Sequence, residues 1–301
     1  MIGLTGATGF VGRALSEELL KRNIRARFFS RSKTLTEKNF FPLDTFNSTT
    51  DWTQALSGIT CIIHCAGLAG DIGGSENHKK KYFNEINVEA TFHLANEAAK
   101  MGIKRFIYLS SAKVNGEQNL NNKPFKISDN VFPETLYAMS KLNAEKKLRK
   151  ISQKSNLEVV IIRSPAVYKN FGSGNIAKLA SLIKMGLPLP LKSIKNKRSF
   201  VSLENLIDLV IFCINSPNVS NETLFVSDDN DISTPELIES IAKNLNKPSR
   251  LIPFPPALIK LFGYLTGTTS TVNQLVGSLQ VDISYTKEKI GWKPKKSIYA
   301  R

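Results

Sequence analysis

Only three cysteines occur in 301 residues, and Cys61, Cys65 and Cys213 make no disulfide framework. Cys61 and Cys65 fall on one expected strand, where four residues separate Cα atoms by roughly 13 Å, too far to bridge. A reduced compartment fits that usage. His64, His78 and His93 are the only histidines, and none has partners at metal-ligand spacing, so no metal site is expected. Long apolar runs are missing as well. The most apolar stretch, residues 251–265, contains Pro253, Pro255, Pro256 and Lys260 and is too short to span a bilayer. A helix packed within a smaller C-terminal lobe is expected there, with a surface-lying amphipathic helix as the alternative. The first strand-like run follows Met1 directly, leaving no room for a leader, and a cytoplasmic location is expected.

Acidic residues are scarce relative to basic ones: 25 against 41, a formal charge of +16. The cations come in scattered groups, His78 to Lys81, Lys146 to Lys150, Lys192 to Arg198 and Lys293 to Lys296. A nucleic-acid surface would interleave aromatic residues with such charges or present a reading helix, and neither pattern is present. Solvated lysine faces with a mild attraction for anionic small molecules are expected, and no nucleic-acid partner.

What the chain does contain is a strand–helix alternation. Apolar runs predict buried strands at residues 2–5, 26–29, 61–64, 106–109 and 159–162. Between them Val11, Leu15, Leu19 and Leu20 share one helix face, and Phe92, Leu94, Ala95 and Ala98 line much of another near residues 83–101. The reading is an α/β fold: a Rossmann-type, doubly wound parallel sheet with a smaller C-terminal substrate-binding lobe. After residue 165 glycine and proline cluster and helices shorten. The expected partition is residues 1–163 for dinucleotide binding, with 199–215 returning to it, and residues 164–198 and 216–301 for the smaller lobe.

The segment Thr5-Gly6-Ala7-Thr8-Gly9-Phe10-Val11-Gly12 joins the first strand to the first helix. Gly6, Gly9 and Gly12 allow a tight turn and close approach of a pyrophosphate, while the helix start offers free N–H groups. Thr8, Phe10 and Val11 complete this expected dinucleotide cradle. No acid occurs between Glu18 and Glu37, where an NAD-preferring site places one on the ribose. Arg31, flanked by Ser30 and Ser32, suits a 2′-phosphate instead, so NADP is favoured, with NAD as the alternative cofactor and a solvated Arg31 as the bland one. Asp44 is a further candidate, for the adenine.

Tyr137 and Lys141 stand one helical turn apart and share a face. An ammonium beside a phenol favours the phenolate, which makes the phenol a usable proton carrier. Ser110 and Ser111 follow a buried strand, at the end where ligands of an open α/β sheet gather. A serine hydroxyl there can orient the reacting oxygen. Together with His64-Cys65-Ala66-Gly67, Asn87 and Arg163-Ser164-Pro165-Ala166-Val167-Tyr168, these motifs resemble, in order, the extended short-chain dehydrogenase/reductases. The resemblance is nearest to the UDP-glucose 4-epimerase and nucleotide-sugar 4-ketoreductase group, the NAD-dependent epimerase/dehydratase family. It implies Ser111, Tyr137 and Lys141 as catalytic residues, and Ala66, Gly67, Ser110 and Pro165 as cofactor contacts beside Tyr137 and Lys141. It also implies Asn175 and Arg198 as substrate contacts, with Ser111. Asn115 stands where that family usually has Tyr. The implied activity is 4-epimerisation of a UDP-hexose, glucose or N-acetylhexosamine, in surface polysaccharide synthesis. The rivals are an NADPH-dependent reductase of a UDP-4-keto-6-deoxy-N-acetylhexosamine and a non-catalytic NADP-sensing scaffold. A UDP-sugar partner is thus expected; a homodimer is left open.

Overall fold

Apolar residues at every position of a short run, rather than every second one, are what a parallel sheet covered on both faces requires. The computed structural model describes residues 1–31, 39–70, 72–119, 123–169 and 174–295, without the side chains of Asn175 and Ser270. Its strands are β1 (Ile2–Thr5), β2 (Ala26–Ser30), β3 (Phe40–Pro42), β4 (Cys61–His64), β5 (Arg105–Ser111), β6 (Glu158–Ser164), β7 (Ala166–Tyr168), β8 (Phe200–Ser202) and β9 (Thr223–Phe225). Seven of them form one sheet in the order β3-β2-β1-β4-β5-β6-β9, and β7 pairs with β8 apart from it. Every pairing in the large sheet is parallel. This is the doubly wound architecture expected.

Neighbouring residues of each strand enter opposite layers. Phe28, Ile63, Ile107 and Val160 pack on one side with Leu15 and Leu19 of α1 (Phe10–Lys21). Phe29, Ile62, Phe106 and Val159 pack on the other with Trp52, Leu94 of α3 (Ala90–Lys100) and Leu148 of α4 (Leu136–Ser152). The strand period of two thus divides one apolar run between two cores. α2 (Glu76–Phe83) leads into a π-helix at Asn84–Glu89, which passes into α3. The single helix expected near residues 83–101 therefore carries a π turn at its start. Apolar periodicity does not distinguish a π turn from α-helix over six residues.

The small lobe has its own core of Ile176, Leu179 and Ile183 on α5 (Gly174–Lys184), together with Leu189, Leu191 and Phe200. Leu237, Ile238 and Ile241 of α7 (Thr234–Asn244) close it. α6 (Leu203–Asn215) lies between these two helices in the chain but packs in the main core, beside α1. The expected boundary at residue 216 needs correction. β9 is the seventh strand of the large sheet, paired with β6 through Ile161↔Thr223 and Ile162↔Leu224. The chain then forms α8 (Pro256–Leu265), α9 (Thr269–Val276) and α10 (Ser284–Ile290). Ile290 and Trp292 return to the main core, where the Trp292 indole donates to Asp208 at 3.0 Å. A three-residue strand has too few positions to show a period, so residues 223–225 gave no signal.

Candidate active site at the strand ends

The chain runs outward from β1 to β3 and then returns to lay β4 on the other side of β1. That reversal opens a crevice between the carboxyl ends of β1 and β4, the usual ligand position of such sheets. Gly6 has φ +70° and lies so close to the β4 loop that a Cβ would stand 2.6 Å from the Ala66 nitrogen. At Gly12 a Cβ would meet the Gly6 oxygen at 2.0 Å. Both glycines are therefore required by the fold itself. Gly9 is different: a Cβ there would meet only the Gly6 oxygen, at 3.3 Å, although Gly9 lines the cleft. It is also the N-cap of α1, and no side chain caps that helix. Open space over uncapped N–H groups fits a pyrophosphate, so the cradle accommodates a dinucleotide.

Thr5, Gly6, Thr8, Gly9, Ser30, Arg31, Ala66, Gly67 and Leu68 line this cleft, with Phe29, Leu43 and Phe46 forming an apolar wall. Arg31 is exposed at the end of β2. Ser32 to Lys38 lie outside the described residues. Asp44 is exposed between Leu43 and Phe46, the residues that form the wall. Phe10 is exposed and Val11 half-buried in the first turn of α1, and Pro165 is buried between β6 and β7.

The loop after β4 is fastened from both sides. Thr5 accepts from the Ala66 nitrogen at 3.3 Å and bonds the His64 ring at 2.7 Å. The other His64 nitrogen meets Thr91 at 2.9 Å. Burial pushes the His64 pKa down to about 3, with the nearby Lys141 cation adding to the shift, so the ring is a neutral strut. Asn87, in the π-helix, accepts from the Leu68 nitrogen at 2.7 Å and donates to the Leu68 oxygen at 3.1 Å and to Ser140 at 2.9 Å. One buried amide thereby clamps the cleft loop to α4.

α4 carries the proton-transfer candidates, and Thr135 caps it by accepting from the Ala138 nitrogen. Tyr137 packs against Phe83, with ring centroids 6.2 Å apart. Burial raises its pKa, a hydrogen bond with Ser111 opposes the rise, and Glu117 adds to it. One turn on, Lys141 is 6% exposed and donates to the Leu109 oxygen at 2.8 Å. Its ammonium lies 4.7 Å from the Tyr108 ring centroid. Burial lowers the Lys141 pKa to about 8, while Cys65 and Glu145 hold it up. Ser111 is buried at the end of β5 and accepts from the Lys113 nitrogen at 3.3 Å. The geometry thus joins Ser111, Tyr137 and Lys141, and Gly67 brings the cleft loop to Lys141, since a Cβ there would lie 3.6 Å from the ammonium.

Beneath these residues lies a network that sequence reasoning missed. Ser110 donates to Glu145 at 2.5 Å, and the Arg163 guanidinium grips both oxygens of Glu145, at 3.0 and 2.6 Å. Arg163 also donates to Asn115 at 2.9 Å, and the amide nitrogen of Asn115 is buried without a partner. Asn115 and Arg163 were visible only as motif members, and Glu145 carried no signal, because its partners lie 18 and 35 residues away. In the small lobe Arg198 donates to the Gly277 oxygen at 2.9 Å. Burial lowers its pKa to about 10 against the pull of Glu117. Asn175 is the second residue of α5, and its side chain lies outside the described residues.

The model of the NAD dependent epimerase/dehydratase family matches residues 2–226. A Vibrio cholerae protein described as UDP-glucose 4-epimerase is 41% identical over 98% of this chain and 91% of its own length. An Escherichia coli O157:H7 protein, described as an N-acetylglucosaminyl-diphospho-undecaprenol 4-epimerase, is 24% identical over 85% of this chain and 76% of its own. Among solved structures, the Thermotoga maritima UDP-glucose 4-epimerase with UDP-glucose superposes with a TM-score of 0.78 at 17% identity, over 99% of this chain and 94% of that one. The Bacillus cereus UDP-glucuronic acid 4-epimerase with NAD reaches 0.75 at 17% identity, over 99% and 94%. At that identity these two structures speak for the fold.

Proposed function

This chain belongs to the NAD dependent epimerase/dehydratase family, and from that membership we propose that it inverts C4 of a UDP-linked hexose. The observation that carries the reading is Tyr137 one helical turn from the buried Lys141 on α4, with buried Ser111 at the end of β5 favouring the phenolate, beside the glycine-lined cleft. The 41% identity to the Vibrio cholerae protein supplies the substrate class. Gly9, the start of α1 and the loop 66–68 would hold the dinucleotide, which when bound supplies a hydride acceptor and donor at C4. Ser111 orients the sugar 4-oxygen. Tyr137 takes the 4-hydroxyl proton and later returns it, and Lys141 stabilises the phenolate between these steps. Arg198 is the proposed diphosphate ligand, because a guanidinium forks onto phosphate oxygens; Asn175 is proposed beside it. Incubating the protein with UDP-glucose and with UDP-N-acetylglucosamine, without added cofactor, tests the reading. The 4-epimer should form from at least one of them; no epimer from either sugar rejects it.

A second reading is favoured by Arg31, which lines the cleft at the end of β2 where no acid stands. An exchangeable NADPH bound through a 2′-phosphate would suit a one-way reductase of a 4-keto sugar. Structural neighbours are described as complexes with NAD, so this cofactor preference rests on Arg31 alone. The parent should then bind NADPH more tightly than NADH, and Arg31→Asp should reverse the order. Equal affinities in the parent leave Arg31 a surface residue and the epimerase reading without a rival.

A further inference from the structure

α8 is packed along a single narrow stripe. Gly263 is buried against Val272 of α9, so closely that a Cβ would stand 2.6 Å from that side chain. Pro256 and Ile259, on the same stripe, are half-buried. Apart from Lys260, the rest of the helix is apolar and uncovered, including Leu258, Leu261, Phe262, Tyr264 and Leu265, the last two 75% and 72% exposed. The segment leading into α8 adds exposed Ile252 and Phe254. Its backbone is tied to the turn after α5 by the Leu189–Arg250 and Ile252–Leu189 hydrogen bonds, and exposed Met185 and Leu187 lie in that turn. A contiguous apolar surface of this kind marks an interaction site.

Charge selects the occupant. The segments that carry these apolar residues, 184–192 and 250–265, contain four Lys and Arg and no Asp or Glu. Lys184, Lys192, Arg250 and Lys260 are exposed in the segments that carry the apolar residues. A symmetric contact with a second copy would set this cationic face against itself, at a cost in like-charge repulsion. An anionic bilayer satisfies both features, because its headgroups attract the cations and its acyl boundary takes the apolar side chains. No helix among the described residues is long and apolar enough to cross a membrane, which leaves a helix lying in the surface. We propose that α8, with its lead-in at residues 252–254, is a peripheral anchor that lies in the headgroup layer of an anionic phospholipid bilayer.

The test is flotation of the full chain with vesicles of phosphatidylglycerol and phosphatidylcholine, and with phosphatidylcholine alone. The protein should float with the anionic vesicles, much less with the neutral ones, and less at raised salt. Phe262→Ser combined with Leu265→Ser should lower the bound fraction by about tenfold or more, with the thermal midpoint and the turnover of soluble substrate unchanged. Lys260→Gln with Arg250→Gln should weaken anionic binding and leave weak neutral binding as it was. Absence of flotation, or equal flotation of the Phe262/Leu265 variant, overturns the proposal. So does light scattering that finds a dimer in the parent and a monomer in that variant, for then a second copy owns the face.

Discussion

Lys141 is a buried cation beside the Tyr137 phenol, and the two titrate on the activity itself. With its pKa lowered to about 8 by burial, the ammonium loses its proton above that pH, and the phenolate loses its support. Turnover should fall on the alkaline side with an apparent pKa near about 8. Lys141→Arg, which stays charged, should lose that limb even if its maximum rate is low. A limb unmoved by the substitution would assign the titration to another group. Tyr137→Phe should reduce turnover by about 100-fold or more with dinucleotide affinity retained. His64 governs stability instead. Its folded pKa, about 3, lies below the ordinary imidazole value of 6.5, so the unfolded chain binds the proton first. The stability present above pH 6.5 is lost as pH falls from there toward 3. Urea unfolding followed between pH 7 and pH 4 should show this slope, and His64→Gln should flatten it.

The cradle separates two uses of glycine within one turn of chain. Gly12→Ala drives a Cβ to 2.0 Å from the Gly6 oxygen, so it should lower stability by about 1–3 kcal/mol or prevent folding. Gly9→Ala meets the same oxygen at 3.3 Å and should leave the urea midpoint nearly unchanged while weakening dinucleotide binding. Calorimetric affinities and unfolding midpoints for both variants decide the matter; a Gly9 variant that binds as the parent does would move the pyrophosphate elsewhere. The cradle was legible because a strand, a turn and a helix start are contiguous in sequence. The π-helix was not, because a single π turn leaves the apolar spacing almost unaltered. Its consequence is the placement of Asn87, which reaches both Leu68 and Ser140.

At the scale of the whole molecule, the large sheet borrows its last strand and its closing side chains from beyond residue 216. Trp292 is 3% exposed in the main core and holds Asp208. Its substitution should therefore act on the sheet domain rather than on the small lobe. Trp292→Ala is expected to cost about 3–5 kcal/mol and to shift one cooperative unfolding transition. Two separated transitions, with only the smaller displaced, would show that the chain end belongs energetically to the small lobe.

Sequence alone determined whatever is written in short-range spacing. Apolar runs alternating with helical stripes specify a covered parallel sheet; Tyr137 and Lys141 share a face because four residues make about one turn; Gly6 and Gly9 precede the first helix and Gly12 falls in its first turn. Tertiary structure decided the contacts between distant segments. Glu145 becomes the support of Ser110 only when β5, β6 and α4 meet, and Arg163 neutralises it from 18 residues away. Three residues at 223–225 become a strand only because β6 offers an unpaired edge. The apolar residues of α8 looked like core material until folding left most of them outside. Hydrophobicity reports a tendency to be covered, and only the packed chain shows which surfaces it has the atoms to cover.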